Sequence, residues 1–263
     1  HHGPISVRDA LATSNNVAAV SVLQRVGLPA MLAQAHAMGI RSLENPEDYG
    51  LSLTLGGGEV RLLELSAAYG ALANAGNRVE PIAVLQVVNT KGDVLFNPNS
   101  KIENPKSVID PRIAWLISDI LSDNAARAPA FGETSVLRLS RPAAVKTGTT
   151  QDFRDNWTVG YTPQLVAGVW VGNADGAPMS HISGVAGAGP IWHDFMQMAL
   201  RDQPVMGFEQ PAGLMSAEVC ALSGLLPTPD CPHVKREWFI EGTQPERSDD
   251  WYRRVKMNPQ GSA

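Results

Sequence analysis

The chain has 263 residues, 44% of them hydrophobic, and a formal net charge of −5 at pH 7. Its length and apolar content suit one large globular domain, or one domain with an appendage. The 21 basic residues are scattered along an acidic chain, which argues against nucleic acid as a partner, and no apolar run approaches the roughly 18 residues of a membrane span.

Three helices are predicted in the first 40 residues. The first begins after a serine cap at Ser6 and ends near Ser14, the second covers 16–26, and the third covers 30–38. The triplet Ser14-Asn15-Asn16 therefore lies at a junction between two helices.

The middle of the chain changes from helix to strand. Residues 60–73 carry apolar side chains at helical spacing and predict a fourth helix, preceded by a turn at Gly56-Gly57-Gly58 that lets the backbone pass close to a neighbour. A β-hairpin is predicted from 83–88 and 94–96 around Lys91-Gly92-Asp93, and a further helix at 113–121.

Three successive strands are predicted at 143–146, 156–161 and 165–171, and a closing helix at 190–200. Helices, then an antiparallel run of strands, then a helix predict an α+β fold in which helices cover the faces of a sheet. From Asp202 onward prolines are frequent and periodicity is weak, which indicates a linker or the edge of another module. Cys220 and Cys231 are the only cysteines, and they form either a disulfide or two free thiols.

The segment Lys146-Thr147-Gly148-Thr149-Thr150 suits a peptide substrate. On a strand, Lys146 and Gly148 alternate with Thr147 and Thr149, while the backbone of an edge can pair with an extended peptide. Gly148 lets that peptide lie close to the strand. The Lys146 ammonium and the threonine hydroxyls can hold a carboxylate, and the Thr149 amide can face the oxygen of a tetrahedral intermediate. Taken alone, the segment also fits an ordinary exposed strand end.

We expect Ser14-Asn15-Asn16 to face that strand across a cleft. There Ser14 can relay a proton to a leaving amine, and Asn16 can hydrogen-bond a substrate amide. The same triplet also fits a plain helix cap or turn. The occurrence of both motifs in this order favours a shared catalytic cleft.

Other kinds of site lack their motifs. No serine is followed by a lysine three residues later, so the sequence supplies no Ser-x-x-Lys nucleophile and base. The glycine-rich segment lacks the Gly-Lys-Ser/Thr of a phosphate loop, which excludes a nucleotide site of that kind. The histidines show no metal-ligand spacing with Cys, Asp or Glu, so no metal is expected.

Several segments together resemble the transpeptidase domain of class A penicillin-binding proteins: 3–11 with Ser14-Asn15-Asn16, 54–58, 67–76 and 146–150. Residues 152–161 and the segment from Cys220 to Cys231 look most like the 1C branch of that class. The resemblance covers roughly 3–245. It implies the penicillin-binding-protein/β-lactamase-like α+β fold, incomplete at the N-terminus, with the C-terminal portion of the transpeptidase domain at 1–207. A proline-rich tail leading into a truncated β-rich module is expected at 208–263.

The resemblance also implies an activity. A peptidoglycan D,D-transpeptidase crosslinks stem peptides ending in D-Ala-D-Ala through a serine acyl-enzyme and is acylated by β-lactams. Catalytic roles are implied for Ser14, Asn16, Lys146 and Thr149, and substrate binding for Thr147, Gly148 and Thr150. Neither a metal nor an organic cofactor is expected.

The implied parent is bifunctional and lies at the periplasmic face of the bacterial inner membrane, with other cell-wall synthesis proteins as partners. Its glycosyltransferase domain, membrane helix and acylated serine are expected upstream of His1, so the fragment alone is predicted to be inactive. Two alternatives stay open. One is a D,D-carboxypeptidase or β-lactamase-like hydrolase, in which water replaces the amine acceptor, and the other is a non-catalytic scaffold module of the cell-wall machinery.

Overall fold

The computed structural model describes residues 3–97, 105–180 and 182–254. Helices cover both faces of a small antiparallel sheet, so the predicted α+β fold is confirmed. The α-helices of the described residues are α1 (Val7–Ala12), α2 (Asn16–Val26), α3 (Leu28–Met38), α4 (Leu62–Ala73), α5 (Pro111–Ser122), α6 (Asn124–Phe131) and α7 (Ala188–Ala199). Their strands are β1 (Asn77–Arg78), β2 (Val87–Val88), β3 (Val94–Phe96), β4 (Lys106–Ser107), β5 (Ala144–Thr149), β6 (Asp155–Tyr161), β7 (Val166–Gly172), β8 (Leu214–Cys220) and β9 (Val234–Ile240).

The first three helices begin and end at local sequence signals. The Ser6 side chain accepts a hydrogen bond from a backbone amide of α1, and the Asn15 side chain does the same for α2. At the other end of α3, Gly39 has a φ of 104°, in the left-handed region that glycine tolerates. The helices predicted for this part of the chain are confirmed, although α3 begins earlier than expected, at Leu28.

The sheet that positions the site has the order β5-β6-β7, with all neighbours antiparallel. Lys146 lies opposite Val159, and Gly148 lies opposite Trp157. The strand predicted at 143–146 continues to Thr149, so the whole Lys-Thr-Gly-Thr segment belongs to β5. β5 is an edge strand, and within the described residues no strand pairs with its outer side.

The two faces of this sheet are buried against different helices. One face packs on α7, in a buried cluster that includes Val145, Ala167, Trp192 and Met196. The other packs on α4 and α5, in a buried cluster of Leu121, Ala144 and Tyr161. Full burial of a large apolar side chain contributes roughly 1.5–3 kcal/mol, so these clusters hold the sheet in place. Because side chains alternate along a strand, Lys146 shares the face of Ala144.

Several elements differ from the sequence prediction, among them the short paired strands β1 and β4, which were not predicted. The hairpin around Lys91-Gly92-Asp93 is confirmed, but its first strand is only Val87–Val88. Helix α6 was not predicted, because Pro129 lies inside it and Gly132 follows it closely. Its start is nevertheless well capped, since the Asp123 side chain accepts a hydrogen bond from the Ala126 amide.

A β-hairpin near the C-terminus was also missed. β8 and β9 pair over seven residues each, and a disulfide joins Cys220, the last residue of β8, to Cys231 in the connecting region. Within 208–263, where a proline-rich tail leading into a β-rich module was expected, residues 214–220 and 234–240 form paired strands. Pro227, Pro229 and Pro232 lie in the connection between the strands, and Pro211 and Pro245 lie outside the hairpin, so no proline interrupts either strand. The end of the expected module, at 255–263, lies outside the described residues.

Across the described ranges, no single helix is both long and apolar enough to cross a membrane. α2 and α3 reach the required length and apolarity only when taken together, and they meet at an angle of 97°.

Candidate active site

A cleft of about 2170 Å³ lies between the α1–α2 junction, the glycine-rich loop before α4 and the edge strand β5. It is lined by every residue that the sequence analysis assigned to the site, namely Ser14, Asn16, Lys146, Thr147, Gly148, Thr149 and Thr150. Ser14 and Lys146 are 132 residues apart in the chain. The fold therefore brings the two motifs together, as the shared-cleft hypothesis requires.

Ser14 occupies the turn between α1 and α2. Its φ of 59° is in the left-handed region, which is uncommon for serine and is found at functional sites. The neighbouring Asn15 caps α2, so Ser14 does not serve as the cap of this helix. The two interpretations of the triplet thus apply to different residues: Asn15 is the cap, and Ser14 faces the cleft.

The Lys146 ammonium joins the two motifs. Its Nζ donates to Ser14 Oγ at 2.6 Å and to the Thr147 carbonyl oxygen at 2.7 Å. Burial, with a further contribution from the positive charge of Arg127, lowers the pKa of Lys146 from 10.5 to about 8. At neutral pH the group is a cation that is close to losing its proton. It can therefore attract a carboxylate and also exchange a proton with the serine hydroxyl.

Arg127 does not line the cleft but acts on Lys146 through its charge, and the sequence analysis did not predict this effect. It lies on α6, is only 3% exposed and donates to the carbonyl oxygens of Leu121 and Leu137. Burial lowers the pKa of Arg127 to about 10, so the guanidinium remains charged at neutral pH. An arginine within a short alanine-rich segment was the available signal, but nothing local in the sequence places α6 beside β5.

The backbone of β5 is open toward the cleft. The Thr150 amide donates to the Asp155 carbonyl, so by antiparallel alternation Thr147 and Thr149 direct their N–H and C=O groups away from β6. The contact between the Thr147 carbonyl and the Lys146 ammonium agrees with this direction. The Thr149 amide thus points to the unpaired edge, where an oxyanion donor and an added peptide strand would both be placed.

The side chains of Thr147 and Thr149 lie on the opposite face from Lys146. Thr149 Oγ1 accepts a hydrogen bond from the Gly184 amide at 2.9 Å. This bond uses one lone pair of the hydroxyl oxygen, so Thr149 can still donate its proton to a carboxylate. The predicted role of the threonine hydroxyls stays a prediction.

Gly148 is not required by the packing of the protein. A Cβ at this position would lie 3.5 Å from Trp157 Cβ, which is ordinary contact. The predicted close approach of a substrate remains the explanation for a glycine here. Gly56 differs: its φ is 96°, and a Cβ would lie 3.0 Å from Thr150 Cγ2, so the triple glycine does bring the backbone close to a neighbour, as predicted.

Thr150 is held within the protein. Its hydroxyl donates to Asp155 Oδ2 at 2.9 Å and accepts from the Asp155 amide, while Trp170 Nε1 donates to Asp155 Oδ1 at 2.9 Å. These bonds fix the turn after β5 and argue against the predicted substrate-binding role of the Thr150 side chain. Asp155 is the first residue of β6, and its place at the cleft follows from the register of that strand.

Asn16 is the first residue of α2 and is exposed at the cleft beside Ser14. Its side-chain amide offers both a donor and an acceptor to a peptide group. Among the described residues there is no group of three or more His, Cys, Asp or Glu side chains that could hold a metal ion. The cleft thus combines the Lys146 ammonium, the Ser14 hydroxyl, the Asn16 side-chain amide and the unpaired edge of β5. This set of groups suits an extended acyl substrate that ends in a carboxylate.

Comparisons with known proteins agree with this geometry. A family model described as the penicillin binding protein transpeptidase domain matches residues 1–197. A second model, described as the C-terminal domain of penicillin-binding protein 1A, matches 210–254. Penicillin-binding protein 2D of Bacillus subtilis is 32% identical over 92% of this chain and 35% of its own length. Penicillin-binding protein 1A of Aquifex aeolicus is 35% identical over 93% of this chain and 32% of its own length.

The chain spans about a third of the length of these curated relatives. Among solved structures, penicillin-binding protein 1A from Haemophilus influenzae is similar with a TM-score of 0.79 and 25% identity, over 93% of this chain and 41% of that one. PonA1 from Mycobacterium tuberculosis in complex with penicillin V gives a TM-score of 0.69 and 27% identity, over 79% of this chain and 59% of that one. The chain therefore belongs to the penicillin-binding protein transpeptidase domain family.

Proposed function

We propose that this chain is the C-terminal part of a serine D,D-transpeptidase domain that crosslinks peptidoglycan stem peptides and reacts with β-lactams. The observation that carries the proposal is the 2.6 Å contact of the Lys146 ammonium with the Ser14 hydroxyl, at the open edge of β5. The geometry provides both a place for an extended peptide and a route for a proton. The PonA1 structure with penicillin V supports the β-lactam part of the proposal.

Each residue has a role in this scheme. A donor peptide ending in D-Ala-D-Ala adds to the edge of β5, and Lys146 attracts its terminal carboxylate. The Thr149 amide donates to the oxyanion as a serine oxygen attacks the scissile carbonyl. Ser14, hydrogen-bonded to Lys146, passes a proton to the leaving amine, and Asn16 holds the peptide amide. An amine of a second stem peptide then attacks the acyl-enzyme and releases the serine.

The attacking serine is proposed to belong to a segment outside these 263 residues, because the chain contains no Ser-x-x-Lys and its relatives are about three times longer. By this proposal the parent also carries a glycosyltransferase domain and a membrane helix, and it acts at the periplasmic face of the inner membrane with other cell-wall synthesis proteins. The disulfide Cys220–Cys231 supports an oxidising compartment.

Two finer assignments belong to the same proposal. We place the transpeptidase portion at 1–207 and a second unit at 208–263, which the C-terminal match at 210–254 supports. Membership of the 1C branch stays a prediction, since the relatives named above are called 1A and 2D.

Mass spectrometry after incubation with penicillin tests the proposal. The full-length parent should gain one covalent adduct, on a serine outside this chain, and the 263-residue chain alone should gain none. An adduct on Ser14 in the isolated chain would show that the motifs have been misassigned. An unlabelled parent would exclude the acyl-enzyme mechanism and favour the scaffold alternative.

Product analysis separates the transpeptidase from the hydrolase alternatives. With a D-Ala-D-Ala peptide and an amine acceptor, a transpeptidase forms a new amide bond. A D,D-carboxypeptidase forms only the shortened peptide, because water accepts the acyl group. A β-lactamase-like hydrolase would turn over penicillin instead of retaining it.

A further inference from the structure

The C-terminal hairpin contacts α1, the helix that leads into the turn containing Ser14. Arg8 on α1 is only 14% exposed and forms an ion pair from its Nε to Glu237 Oε2 on β9, at 2.9 Å. Lys235, also on β9, donates to the Ser6 hydroxyl at 3.0 Å and approaches Asp9 Oδ2 at 3.4 Å. Lys235 and Glu237, which are two residues apart on β9, thus both bind the start of α1.

Arg8 is at the same time bound to the transpeptidase portion of the chain. Its guanidinium reaches Asp119 at 2.6 Å and Asp123 at 3.2 Å, at the C-terminal end of α5. The hydrogen bonds and charges of Asp119 and Glu237 outweigh the effect of burial and raise the pKa of Arg8 above its ordinary value. The arginine is therefore a fixed cation that joins α1, α5 and β9.

Helix α1 depends on such contacts because it is short. It has six residues, and an isolated helix of this length does not persist in water. Its apolar contacts are few: Ala12 is buried, and Leu11 packs partly buried against the cluster of Leu121, Ala144 and Tyr161. The ion pairs of Arg8 and the bonds of Lys235 supply part of the tertiary contact that α1 needs.

A displacement of α1 would reach Ser14 directly. The Ser14 amide donates to the Leu11 carbonyl at 3.2 Å, and the Asn15 amide donates to the Ala10 carbonyl at 2.9 Å. The serine is thus tied to the last turn of α1 and has no flexible linker in which a shift of the helix could be absorbed.

We propose that Glu237 is a positioning residue, which acts through Arg8 and α1 to hold the Ser14 hydroxyl against Lys146. The C-terminal hairpin is then a support of the catalytic cleft as well as an attached unit. This inference rests on the proposed function, and it adds a role for residues that lie outside the match to the transpeptidase model at 1–197.

The test uses the full-length parent with Glu237→Gln, which removes the charge and keeps the shape. Glu218→Gln is the matched control, since Glu218 is an exposed glutamate on β8, the other strand of the same hairpin. Acylation by a fluorescent penicillin should be slower by about tenfold in Glu237→Gln and unchanged in the control, because small misplacements of a reacting group are costly.

Repeating the substitution in a protein that lacks the Ser14 hydroxyl shows whether Glu237 acts through Ser14. In Ser14→Ala protein, Glu237→Gln should slow acylation by less than about twofold, because the group that it positions is gone. An equal loss in both backgrounds would mean that the hairpin acts on general stability, and no loss with Ser14 present would also overturn the proposal.

Hydrogen exchange separates this inference from the proposed function. The amides of 9–15 should exchange faster in Glu237→Gln than in the parent or the control. If the parent is not acylated but this exchange still rises, the proposed function fails and the link between hairpin and α1 stands. If the exchange is the same in all three proteins, Glu237 does not hold α1.

Discussion

At the scale of single residues, the protonation of Lys146 determines what the cleft can do. The sequence motif indicated a strand-end lysine whose ammonium could reach solvent. In the structure the ammonium is half-buried, bonded to Ser14 and close to the buried Arg127. The place of Lys146 on a strand was predictable from the local sequence. The lowered pKa was not, because it depends on an arginine brought in by a separate helix.

Replacing Lys146 by alanine in the parent should impair acylation far more than folding. Loss of a charge-assisted hydrogen bond to the substrate carboxylate should reduce the second-order acylation rate by roughly 30- to 1000-fold. The free energy of unfolding should change by no more than about 1 kcal/mol, because removing a partly buried charge offsets the lost packing of the side-chain stem. A fluorescent penicillin and a thermal melt measure the two effects, and parental acylation by Lys146→Ala would refute the assigned role.

The pH dependence of acylation follows from the same pKa. Since the pKa of Lys146 lies at about 8, the ammonium is intact below that pH and is lost above it. Acylation should therefore decline above about pH 8, and Lys146→Arg should lack this decline while being slower throughout, because arginine stays charged but has a different shape. For stability the sign is opposite. The folded protein binds fewer protons than the unfolded chain between about 8 and 10.5, so this group's contribution rises with pH across that window.

The pH profile of each protein, taken with a melting curve at every pH, checks both statements. A parental rate that keeps rising through pH 9 would mean that the neutral amine, acting as a base, is the active form.

At the scale of elements, the helices were easier to predict than the strands. Ser6, Asn15 and Gly39 mark helix ends by local chemistry, and those ends are where the structure has them. β8 and β9 were not predicted because the prolines in that part of the chain indicated a linker. The roles of Arg127 and Asp155 depend on tertiary placement and strand register, which no local pattern contains.

Gly148 in β5 and Gly184 beside it should respond differently to replacement by alanine. A Cβ at Gly184 would overlap the Gly148 carbonyl oxygen and lie 2.8 Å from the Trp157 carbonyl oxygen, so backbone would have to move. We expect Gly184→Ala to reduce the free energy of unfolding by roughly 1–3 kcal/mol. Gly148→Ala should leave the melting temperature nearly unchanged, since its new contact is an ordinary one, and yet slow acylation by crowding the substrate.

Melting curves and acylation rates of Gly184→Ala and Gly148→Ala, measured under the same conditions, test these two expectations. If Gly148→Ala is acylated as fast as the parent, no substrate backbone lies against that position, and the peptide-addition scheme would have to be revised.

At the scale of the whole molecule, the C-terminal hairpin has its own crosslink. The disulfide joins Cys220 and Cys231, which are 11 residues apart, so it closes a loop within the hairpin and does not tie the hairpin to the sheet. In the chain-entropy description a loop of this size is stabilised by about 3 kcal/mol. Reduction should therefore loosen the hairpin first.

A variant with Cys220→Ser and Cys231→Ser should be cleaved by protease within 221–233 faster than the parent, and the oxidised parent treated with reductant should behave like the variant. The protease digests should show early cuts in this segment while the sheet β5-β6-β7 stays intact. Equal rates of cleavage with and without the disulfide would mean that strand pairing alone holds the hairpin.

The left-handed backbone of Ser14 has a consequence for how this protein would respond to selection. A non-glycine residue in that region costs on the order of 1–2 kcal/mol, and glycine avoids the cost. Ser14→Gly should therefore melt at a higher temperature than Ser14→Ala, although both lack the hydroxyl and should acylate equally slowly. Comparing the two separates the backbone from the side chain. If variants at position 14 were screened for heat resistance alone, glycine would be enriched and the serine hydroxyl would be lost. A screen for penicillin labelling would retain serine despite its conformational cost.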